Sequence, residues 1–525
     1  MAIKIPKIWL IVLIALLLRS WQIAKLPSLN PDEAALGYNA YSLLKTGRDE
    51  HGISWPTHFK SFGDYKPGGY VYLAMPFVKT FGLTPLAVRL PNLILSVLTV
   101  FVLYKLVFLL TNNSKVSNLV SFVLAINPWH LQFSRGAWES SAALFFMLLG
   151  TYWFYSFIIK KKPIYIYIFS IPLVFALATY HSARIVAPLL FLVFLIMYFK
   201  KLMNRHFFLA LILGLILVAP VSYSFLRDGG FARFGSVGLT ADTGPLSRSE
   251  ELLNNHGNVK LINRIMHNRR VLYTLSWVEK YTSHFNLNFL FLDGDEVPRS
   301  KNPDMGQLYL LELPFLILGI VKLFQSKNNH LKILTLSILF ISPLASSLTF
   351  QAPSALRALP LVISLSILIG LGLSTLNNKI LVILISFIYL VSGIYYLDSY
   401  YLHAPKRYPF AWNTGFPQAV EYLESQKNNF ENIYFTNKYD QPYILYLFFS
   451  QYPPENIQTQ IQLTPNDKFG FSTVATIDNI HFGKIIWDEI PQGSLVFAVD
   501  ETISQTPINS IDFPNNTKGF KIYVK

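Results

Sequence analysis

The feature that most constrains the fold is a series of apolar blocks of about twenty residues, separated by short polar runs. The hydrocarbon core of a bilayer requires roughly twenty residues per helix. Hydrophobic residues make up 52% of the 525 residues and charged residues only 14%, which leaves too little polar surface to cover a soluble globule of this size. Each block is therefore predicted to span a membrane.

Eleven blocks have this character, and the third is the shortest. They cover residues 8–26, 84–110, 116–128, 138–159, 164–181, 183–199, 206–226, 307–325, 331–350, 355–376 and 379–399. Lys4 and Lys7 precede the first block as in a signal peptide, but no small-residue cleavage site follows them. An uncleaved first span is therefore predicted.

Basic residues between the blocks predict the orientation. Every second loop is basic, and these loops contain Lys115, Lys160, Lys161, Lys162, Lys200, Lys201, Arg205, Lys322, Lys327, Lys332 and Lys379. Because cytoplasmic loops are enriched in Lys and Arg, the N-terminus is predicted to be cytoplasmic. The net charge of +15 then reflects the orientation of the chain in the membrane and does not indicate a nucleic-acid-binding surface. We expect a multi-pass protein of a prokaryotic plasma membrane. Its partners would include the lipid bilayer and exclude nucleic acid.

The predicted topology puts two long loops, residues 27–83 and 227–306, outside the cytoplasm. Residues 1–400 would then form a membrane domain and residues 401–525 a soluble extracytoplasmic domain. The latter alternates strand-like runs (432–436, 494–499 and 520–524) with helix-like stretches such as 418–426, which is typical of a small α/β domain. The chain has no cysteine, which excludes thiolate catalysis and Cys-ligated zinc.

The first long loop carries the strongest candidate site. Asp32 and Glu33 follow Asn30 and Pro31 where the chain leaves the first span, at the predicted start of a short helix that runs to about Leu44. Acidic side chains at a helix N-terminus satisfy free N–H groups and oppose the dipole, which is the structural interpretation. A carboxylate at the membrane boundary is also suited to act as a general base toward a hydroxyl group. On these residues alone, both interpretations stay open.

Further polar residues follow in the same loop. Asp49, Glu50 and His51 precede Asp64 and Lys66, the latter in the sequence DYKPGGY. A lysine here would neutralise a phosphate leaving group, or would instead extend its ammonium group from an apolar stem toward water.

A set of short motifs in order along the chain resembles the superfamily of dolichyl-phosphate-mannose protein mannosyltransferases and aminoarabinose transferases. The motifs are LR at 18–19, DE at 32–33, YKP at 65–67, VRLPN at 88–92, NPWH at 127–130, FSR at 133–135, TYHSAR at 179–184 with Pro188, and LRALP at 356–360. Members are multi-spanning glycosyltransferases of the C-type fold that take sugars from polyprenyl-phosphate carriers. The resemblance thus implies an all-α membrane domain of that fold.

The resemblance also implies roles for individual residues. It makes Asp32 the catalytic carboxylate with Glu33 beside it, and it places Lys66 at the phosphate of the carrier. Arg357 and Arg184 become further candidates for phosphate contact.

Other candidates lie near the outer ends of the spans. Arg19 interrupts the first span and would face a cavity or extend to the interface. The remaining candidates are His130, Arg135, Glu139 and His181, and together with Asp32 and Glu33 they include ordinary ligands of a divalent cation. A cation site and ordinary hydrogen-bonding roles are both open, since no compact ligand motif is present and no cofactor is required.

The predicted function is transfer of a single sugar from a polyprenyl-phosphate donor to an extracytoplasmic protein, lipid or glycan. Asp32 would act as the base, and the anomeric carbon would be inverted. A transporter or flippase of polyprenyl-linked lipids is the alternative, although transporters place ionisable residues near the midplane and this chain places them in outer loops. A non-catalytic carrier-binding protein and en bloc oligosaccharide transfer to asparagine are further alternatives, but no WWD-type motif is present.

Overall fold

A computed structural model describes residues 6–227, 238–255, 261–465 and 472–525, most of which are helical. The first eleven helices are α1 Lys7–Ser20, α2 Pro31–Thr46, α3 Gly69–Phe81, α4 Pro85–Thr111, α5 Ser114–Ile126, α6 Pro128–Gln132, α7 Glu139–Lys160, α8 Ile164–Thr179, α9 Ala183–Met197, α10 Phe199–Leu202 and α11 Arg205–Arg227. The next eight are α12 Gly244–Asn255, α13 Leu261–Met266, α14 Arg269–Thr282, α15 Leu313–Gln325, α16 Asn329–Ile341, α17 Leu344–Ser347, α18 Leu361–Leu373 and α19 Lys379–Asp398. The last four are α20 Ala404–Arg407, α21 Phe416–Gln426, α22 Pro442–Phe449 and α23 Pro454–Gln460.

Each of the eleven predicted spans overlaps an apolar helix. Within the described ranges, five helical segments are long and apolar enough to cross a membrane: Pro85–Thr111, Glu139–Lys160, Arg205–Arg227, Asn329–Ser347 and Lys379–Arg407. Four shorter apolar helices, α5, α8, α9 and α18, occupy further predicted spans. The chain is thus a helical membrane protein, and the number of eleven crossings stays a prediction.

Close helix packing in the membrane region depends on glycine. A Cβ atom added at Gly319 of α15 would lie 1.8 Å from the backbone oxygen of Leu368 in α18, and one added at Gly372 of α18 would lie 1.9 Å from that of Phe315 in α15. Only residues without a side chain allow the two backbones to approach so closely, as is common between helices in membranes.

The chain forms two compact units. One comprises residues 1–18, 95–133 and 140–396, and the other comprises residues 19–94, 134–139 and 397–525. We call them the first and the second unit. The predicted domain boundary at residue 400 is a different division, because it separates the membrane-spanning part of the chain from the part expected outside the cytoplasm. That boundary stays a prediction.

The second unit contains all the strands in the described residues. They are β1 His58–Ser61, β2 Asp64–Pro67, β3 Ile433–Thr436, β4 Thr476–Ile477, β5 Ile480–Gly483, β6 Leu495–Ala498, β7 Asn509–Asp512 and β8 Lys518–Val524. Strands β1 and β2 form an antiparallel hairpin, and the other six form one sheet in the order β4-β5-β3-β6-β8-β7. In this sheet β3 is parallel to both β5 and β6, while the outer pairs are antiparallel. The predicted α/β character of residues 401–525 is confirmed.

Helix α2 packs against the C-terminal part of the second unit. The hydroxyl of Tyr38 donates a hydrogen bond to the backbone oxygen of Tyr452 (2.8 Å), and the amide of Gln458 donates to the hydroxyl of Thr46 (2.9 Å). At Gly37 an added Cβ would lie 2.7 Å from the ring of Phe448 in α22. These contacts fix the helix that begins with the Asp-Glu pair.

Candidate functional site

Asn30, rather than either acidic residue alone, caps helix α2. Its side chain accepts a hydrogen bond from the backbone N–H of Glu33 (3.1 Å), and the Glu33 carboxylate accepts from the backbone N–H of Asn30 (3.3 Å). This reciprocal arrangement is a capping box. The helix itself confirms the predicted element that begins near Asp32, and the cap leaves the Asp32 carboxylate outside this network of bonds.

Glu33 is fully buried and forms a bidentate ion pair with Arg89. Arg89 Nε donates to Glu33 Oε1 (2.8 Å) and Arg89 Nη2 donates to Glu33 Oε2 (2.7 Å). The backbone N–H of Ala137 also donates to Oε1 (2.7 Å). The guanidinium group of Arg89 donates further bonds to the carbonyl oxygens of residues 23, 27 and 28. The oxygens of Glu33 are therefore occupied by structural partners.

Gly136 allows the backbone after Arg135 to pack closely against Glu33. An added Cβ there would lie 3.1 Å from Glu33 Oε1 and 2.7 Å from the indole nitrogen of Trp138. The side-chain amide of Asn92 donates to the Gly136 carbonyl oxygen (2.7 Å). The VRLPN segment and the residues after Arg135 thus meet at the start of α2, which the sequence alone did not indicate.

Asp32 pairs with Lys66, which lies on the β1–β2 hairpin. The Lys66 ammonium donates to Asp32 Oδ1 and lies 4.8 Å from the centre of the Phe62 ring. The Asp32 side chain is 42% exposed and that of Lys66 16% exposed. The carboxylate of Asp32 and the ammonium group of Lys66 thus form an ion pair at the start of α2.

The hairpin places Lys66 at this position. Phe62 and Gly63 connect the strands and both have positive φ angles of 57° and 82°, as tight two-residue hairpins require. The Asp64 carboxylate accepts a hydrogen bond from the backbone N–H of Tyr65 (2.7 Å) at the start of β2. Asp64 thus lies on the element that carries Lys66, in a turn position.

Three buried ionisable residues follow α2. Burial raises the pKa of Glu50 to about 8, with a further contribution from Asp49. Burial also raises the pKa of Asp49 to about 6 and lowers that of His51 to about 4. His51 Nε2 lies 3.6 Å from Glu50 Oε1. These pKa values favour the neutral forms of the Glu50 acid and the His51 imidazole near pH 7.

Arg135 and Arg19 are buried in the second unit. The Arg135 guanidinium donates to the backbone oxygens of Arg19 (3.3 Å) and Trp21 (2.6 Å). Its central carbon lies 4.9 Å and 5.0 Å from the ring centres of Tyr400 and Tyr401. These contacts support a structural role for Arg135 in holding the segment that follows α1.

The remaining histidine and acidic candidates are distributed between the units. Glu139 begins α7, in the second unit, and His130 lies on the short helix α6 in the first unit with its side chain fully buried. Among the residues that the structure describes, no three His, Asp or Glu side chains are grouped so that they could hold a metal ion. A divalent cation stays a hypothesis.

His181, Arg184 and Arg357 line one cavity in the first unit. The cavity has a volume of about 500 Å³, and apolar side chains from α8, α9, α11 and α17 form most of its wall. Arg184 Nε donates to the Leu177 carbonyl oxygen (3.0 Å) and its guanidinium lies 5.0 Å from the centre of the Phe225 ring. Arg357 Nη1 donates to Thr349 Oγ1 (3.2 Å). Two cationic side chains and an imidazole thus line a space whose wall is otherwise mostly apolar, with a few hydroxyl groups.

A second cavity adjoins the first. It has a volume of about 180 Å³ between α8, α9 and α11, and Leu177, Pro188 and Val218 line both cavities. Apart from Ser170, its wall is formed by apolar side chains and Gly214. Ser170 itself donates to the carbonyl oxygen of Ala210 (3.0 Å), so it presents little polarity to the space.

Comparison with known proteins supports the resemblance in one segment. Residues 66–223, just under a third of the chain, match the sequence model of the family described as dolichyl-phosphate-mannose-protein mannosyltransferase. This segment includes the VRLPN, NPWH, FSR and TYHSAR motifs and excludes Asp32 and Arg357. No curated protein matches the chain at a significant level.

Solved structures similar to this chain include ArnT from Cupriavidus metallidurans in the apo state, with 10% identity and a TM-score of 0.46 over 98% of this chain and 97% of that chain. The oligosaccharyltransferase from Archaeoglobus fulgidus, in complex with Zn and sulfate, has 12% identity and a TM-score of 0.45 over 85% of this chain. The match spans 61% of the length of that oligosaccharyltransferase. The archaeal oligosaccharyltransferase AglB from the same organism, in complex with an inhibitory peptide and a dolichol-phosphate, has 13% identity and a TM-score of 0.43 over 85% of this chain and 63% of that chain.

The family match thus confirms, over residues 66–223, the resemblance of this chain to the dolichyl-phosphate-mannose-protein mannosyltransferases.

Proposed function

We propose that the chain is an integral-membrane glycosyltransferase that transfers a single sugar from a polyprenyl-phosphate donor to an acceptor outside the cytoplasm. The strongest support is the amphiphilic character of the two adjoining cavities. The larger one presents Arg184, Arg357 and His181, and the smaller one is lined almost entirely by hydrocarbon. A polyprenyl phosphate combines an anionic head with a long apolar tail in the same way.

The head and the tail of the donor are assigned to different parts of this space. Arginine suits a phosphate because its planar guanidinium presents several donors that match phosphate oxygens. Arg184 and Arg357 are therefore the proposed phosphate contacts. The first part of the prenyl chain would pass Val218 and enter the cavity between α8 and α11, where it is shielded from water.

Asp32 is the proposed general base. The acceptor hydroxyl oxygen forms a bond to the anomeric carbon while the bond from that carbon to the phosphate oxygen breaks. The acceptor proton passes to Asp32, and the carrier phosphate leaves with the electron pair. A single displacement of this kind inverts the anomeric centre. The 42% exposure of the Asp32 side chain supports this role, because an acceptor hydroxyl can reach the carboxylate.

Lys66 is a further proposed phosphate contact. Its single ammonium pairs with Asp32 in this structure, and the motif resemblance assigns it to the phosphate. Transfer of Lys66 from the carboxylate to a phosphate would release Asp32 to accept a proton. Glu33 is proposed to position this turn rather than to take part in the chemistry, because Arg89, Ala137 and Asn30 already occupy its oxygens.

The activity is tested by incubating the purified protein with a panel of radiolabelled polyprenyl-phosphate sugars and protein, lipid and glycan acceptors, with and without EDTA. Label in an acceptor supports transfer, and retention of that label in EDTA argues against a required divalent cation. Donor binding or movement across vesicles without transfer to any acceptor would favour the carrier-binding or flippase alternative.

The phosphate site is tested with Arg357→Ala and Arg184→Ala. Loss of one charge-assisted hydrogen bond costs on the order of 1.5 to 3 kcal/mol, so each variant should bind polyprenyl phosphate roughly ten- to a hundredfold more weakly. Arg205→Ala is the control. Arg205 is an exposed arginine at the first residue of α11, whereas the cavity is lined by residues near the last turns of that helix. Unchanged binding in both cavity variants would contradict the assignment.

The orientation is part of the same proposal. The N-terminus would be cytoplasmic and residues 401–525 extracytoplasmic, in accordance with the basic loops. A periplasmic reporter fused after Lys525 should be active and one fused at Lys161 inactive. The reverse pattern would contradict the orientation.

A further inference from the structure

Arg357 lies at the end of a short buried turn, and the side chains that hold this turn have no role in the proposed chemistry. Ser354 and Ala355 are buried, whereas Arg357 itself is partly exposed at the cavity. The backbone N–H of Arg357 donates to Ser354 Oγ (3.5 Å). The guanidinium group donates to Thr349 Oγ1 and to the carbonyl oxygen of Gln351, and the backbone of residues 354–357 sets the point from which the side chain reaches them.

Asp295 is the one acidic side chain among the described contacts that hold this turn. It is 1% exposed, and its Oδ2 accepts a hydrogen bond from the backbone N–H of Ala355 (2.6 Å). Its Oδ1 accepts from the backbone N–H of Val297 (2.8 Å), which anchors the carboxylate in its own loop.

Three further side chains form hydrogen bonds with the backbone of this turn. The indole N–H of Trp129 donates to the Ala355 carbonyl oxygen (2.9 Å). The backbone N–H of Ser354 donates to His284 Nε2 (3.3 Å) and to Ser346 Oγ (3.1 Å). Both backbone groups of Ala355, its N–H and its C=O, are thus hydrogen-bonded, and a bond to a carboxylate is the stronger kind.

We propose that Asp295 is a positioning residue for Arg357: it holds the turn from Ser354 to Arg357 so that the guanidinium is directed to the cavity before the donor phosphate binds. This inference rests on the proposed function, since it assigns a second residue to the same phosphate site. A preorganised guanidinium loses less conformational freedom on binding, so the benefit appears as donor affinity.

The experiment measures binding of sugar-free polyprenyl phosphate to the purified full chain. In Asp295→Asn, the amide replaces one acceptor oxygen with an NH2 group, which would face a backbone N–H of either Ala355 or Val297. Donor binding should weaken about tenfold, the size of one hydrogen bond to a charged group, while the acceptor KM stays unchanged. Asp293→Asn is the matched control, because Asp293 is exposed in the same loop. It should bind like the wild type.

A double-mutant cycle separates positioning from general stability. In the Arg357→Ala background, Asp295→Asn should cause no further loss of donor binding, because the group that it positions is already absent. If Asp295→Asn does not fold, Trp129→Phe removes the bond to the carbonyl oxygen of the same residue, Ala355, and should show the same coupling with Arg357→Ala. Additive effects, or an unchanged affinity in a folded Asp295→Asn protein, would overturn the positioning role. Unchanged affinity in Arg357→Ala itself would instead reject the proposed phosphate site.

Discussion

Glu33 and Arg89 form a buried ion pair with two parallel hydrogen bonds, while Asp32, the neighbour of Glu33, remains partly exposed. Adjacent carboxylates on successive helical residues point in different directions, so one can be anchored inside while the other faces outward. The anchored residue fixes the first turn of α2. The partly exposed residue contacts Lys66 instead.

Arg89→Ala should strongly destabilise the protein. Removal of one partner leaves the Glu33 carboxylate buried without its cation, which costs on the order of 3 to 5 kcal/mol. Thermal unfolding in detergent should show a large fall in the midpoint. Arg48→Ala, which removes an exposed arginine after the same helix, is the control. Equal midpoints for the two variants would show that the ion pair contributes little.

Glu50 should make stability depend on pH. Burial raises its folded-state pKa from 4.5 to about 8, so its contribution to stability is fully present below 4.5 and is lost as the pH rises toward 8. Between pH 7 and 8, where most of the protonation changes of Asp49 and His51 on unfolding are complete, this loss amounts to roughly 1 kcal/mol. Glu50→Gln mimics the neutral acid and should remove the slope from melting curves recorded across this interval. Parallel slopes for the variant and the wild type would contradict the raised pKa.

Val218→Trp should discriminate between donors by tail length. Val218 lines both cavities, so an indole there would close the passage to the apolar one. Each buried CH2 contributes about 0.8 kcal/mol, so exclusion of even two carbons weakens binding of long-chain polyprenyl phosphate by more than about tenfold. A phosphate with one short isoprenoid should bind as before. Ile216→Trp, on the exposed face of the same helix, should affect neither ligand. Equal binding of the long-chain ligand by the two variants would place the tail elsewhere.

Local sequence signals predicted many elements of the fold. The Asn-Pro-Asp-Glu sequence predicted the start of α2, and the apolar runs near residues 433, 495 and 520 predicted β3, β6 and β8. These signals act within a few residues, through capping, the fixed φ of proline and β-branched side chains. The capping residue proved to be Asn30, whereas the sequence interpretation assigned that role to the acidic pair.

The partners of the site residues could not be predicted, because they come from distant parts of the chain. Lys66 lies 34 residues from Asp32, and Ala355 lies 60 residues from Asp295. Arg135 was a candidate for a metal or polar site, but its stacking on Tyr400 and Tyr401 depends on tertiary packing. Asp295 had no sequence signal of its own, since an acidic residue in a polar loop is ordinarily exposed.

The substitution Asp32→Asn tests whether Asp32 is the general base. Asn30 caps α2, so the substitution leaves the cap intact and the protein should fold with a melting profile close to that of the wild type. An amide does not accept a proton near pH 7, so sugar transfer should fall by roughly a hundred- to ten-thousandfold while donor binding persists. The decisive measurement is the turnover number of Asp32→Asn after its folding and its polyprenyl-phosphate binding have been verified. Turnover within a few-fold of the wild type would contradict the assignment of Asp32 as the general base and would leave it as a structural partner of Lys66.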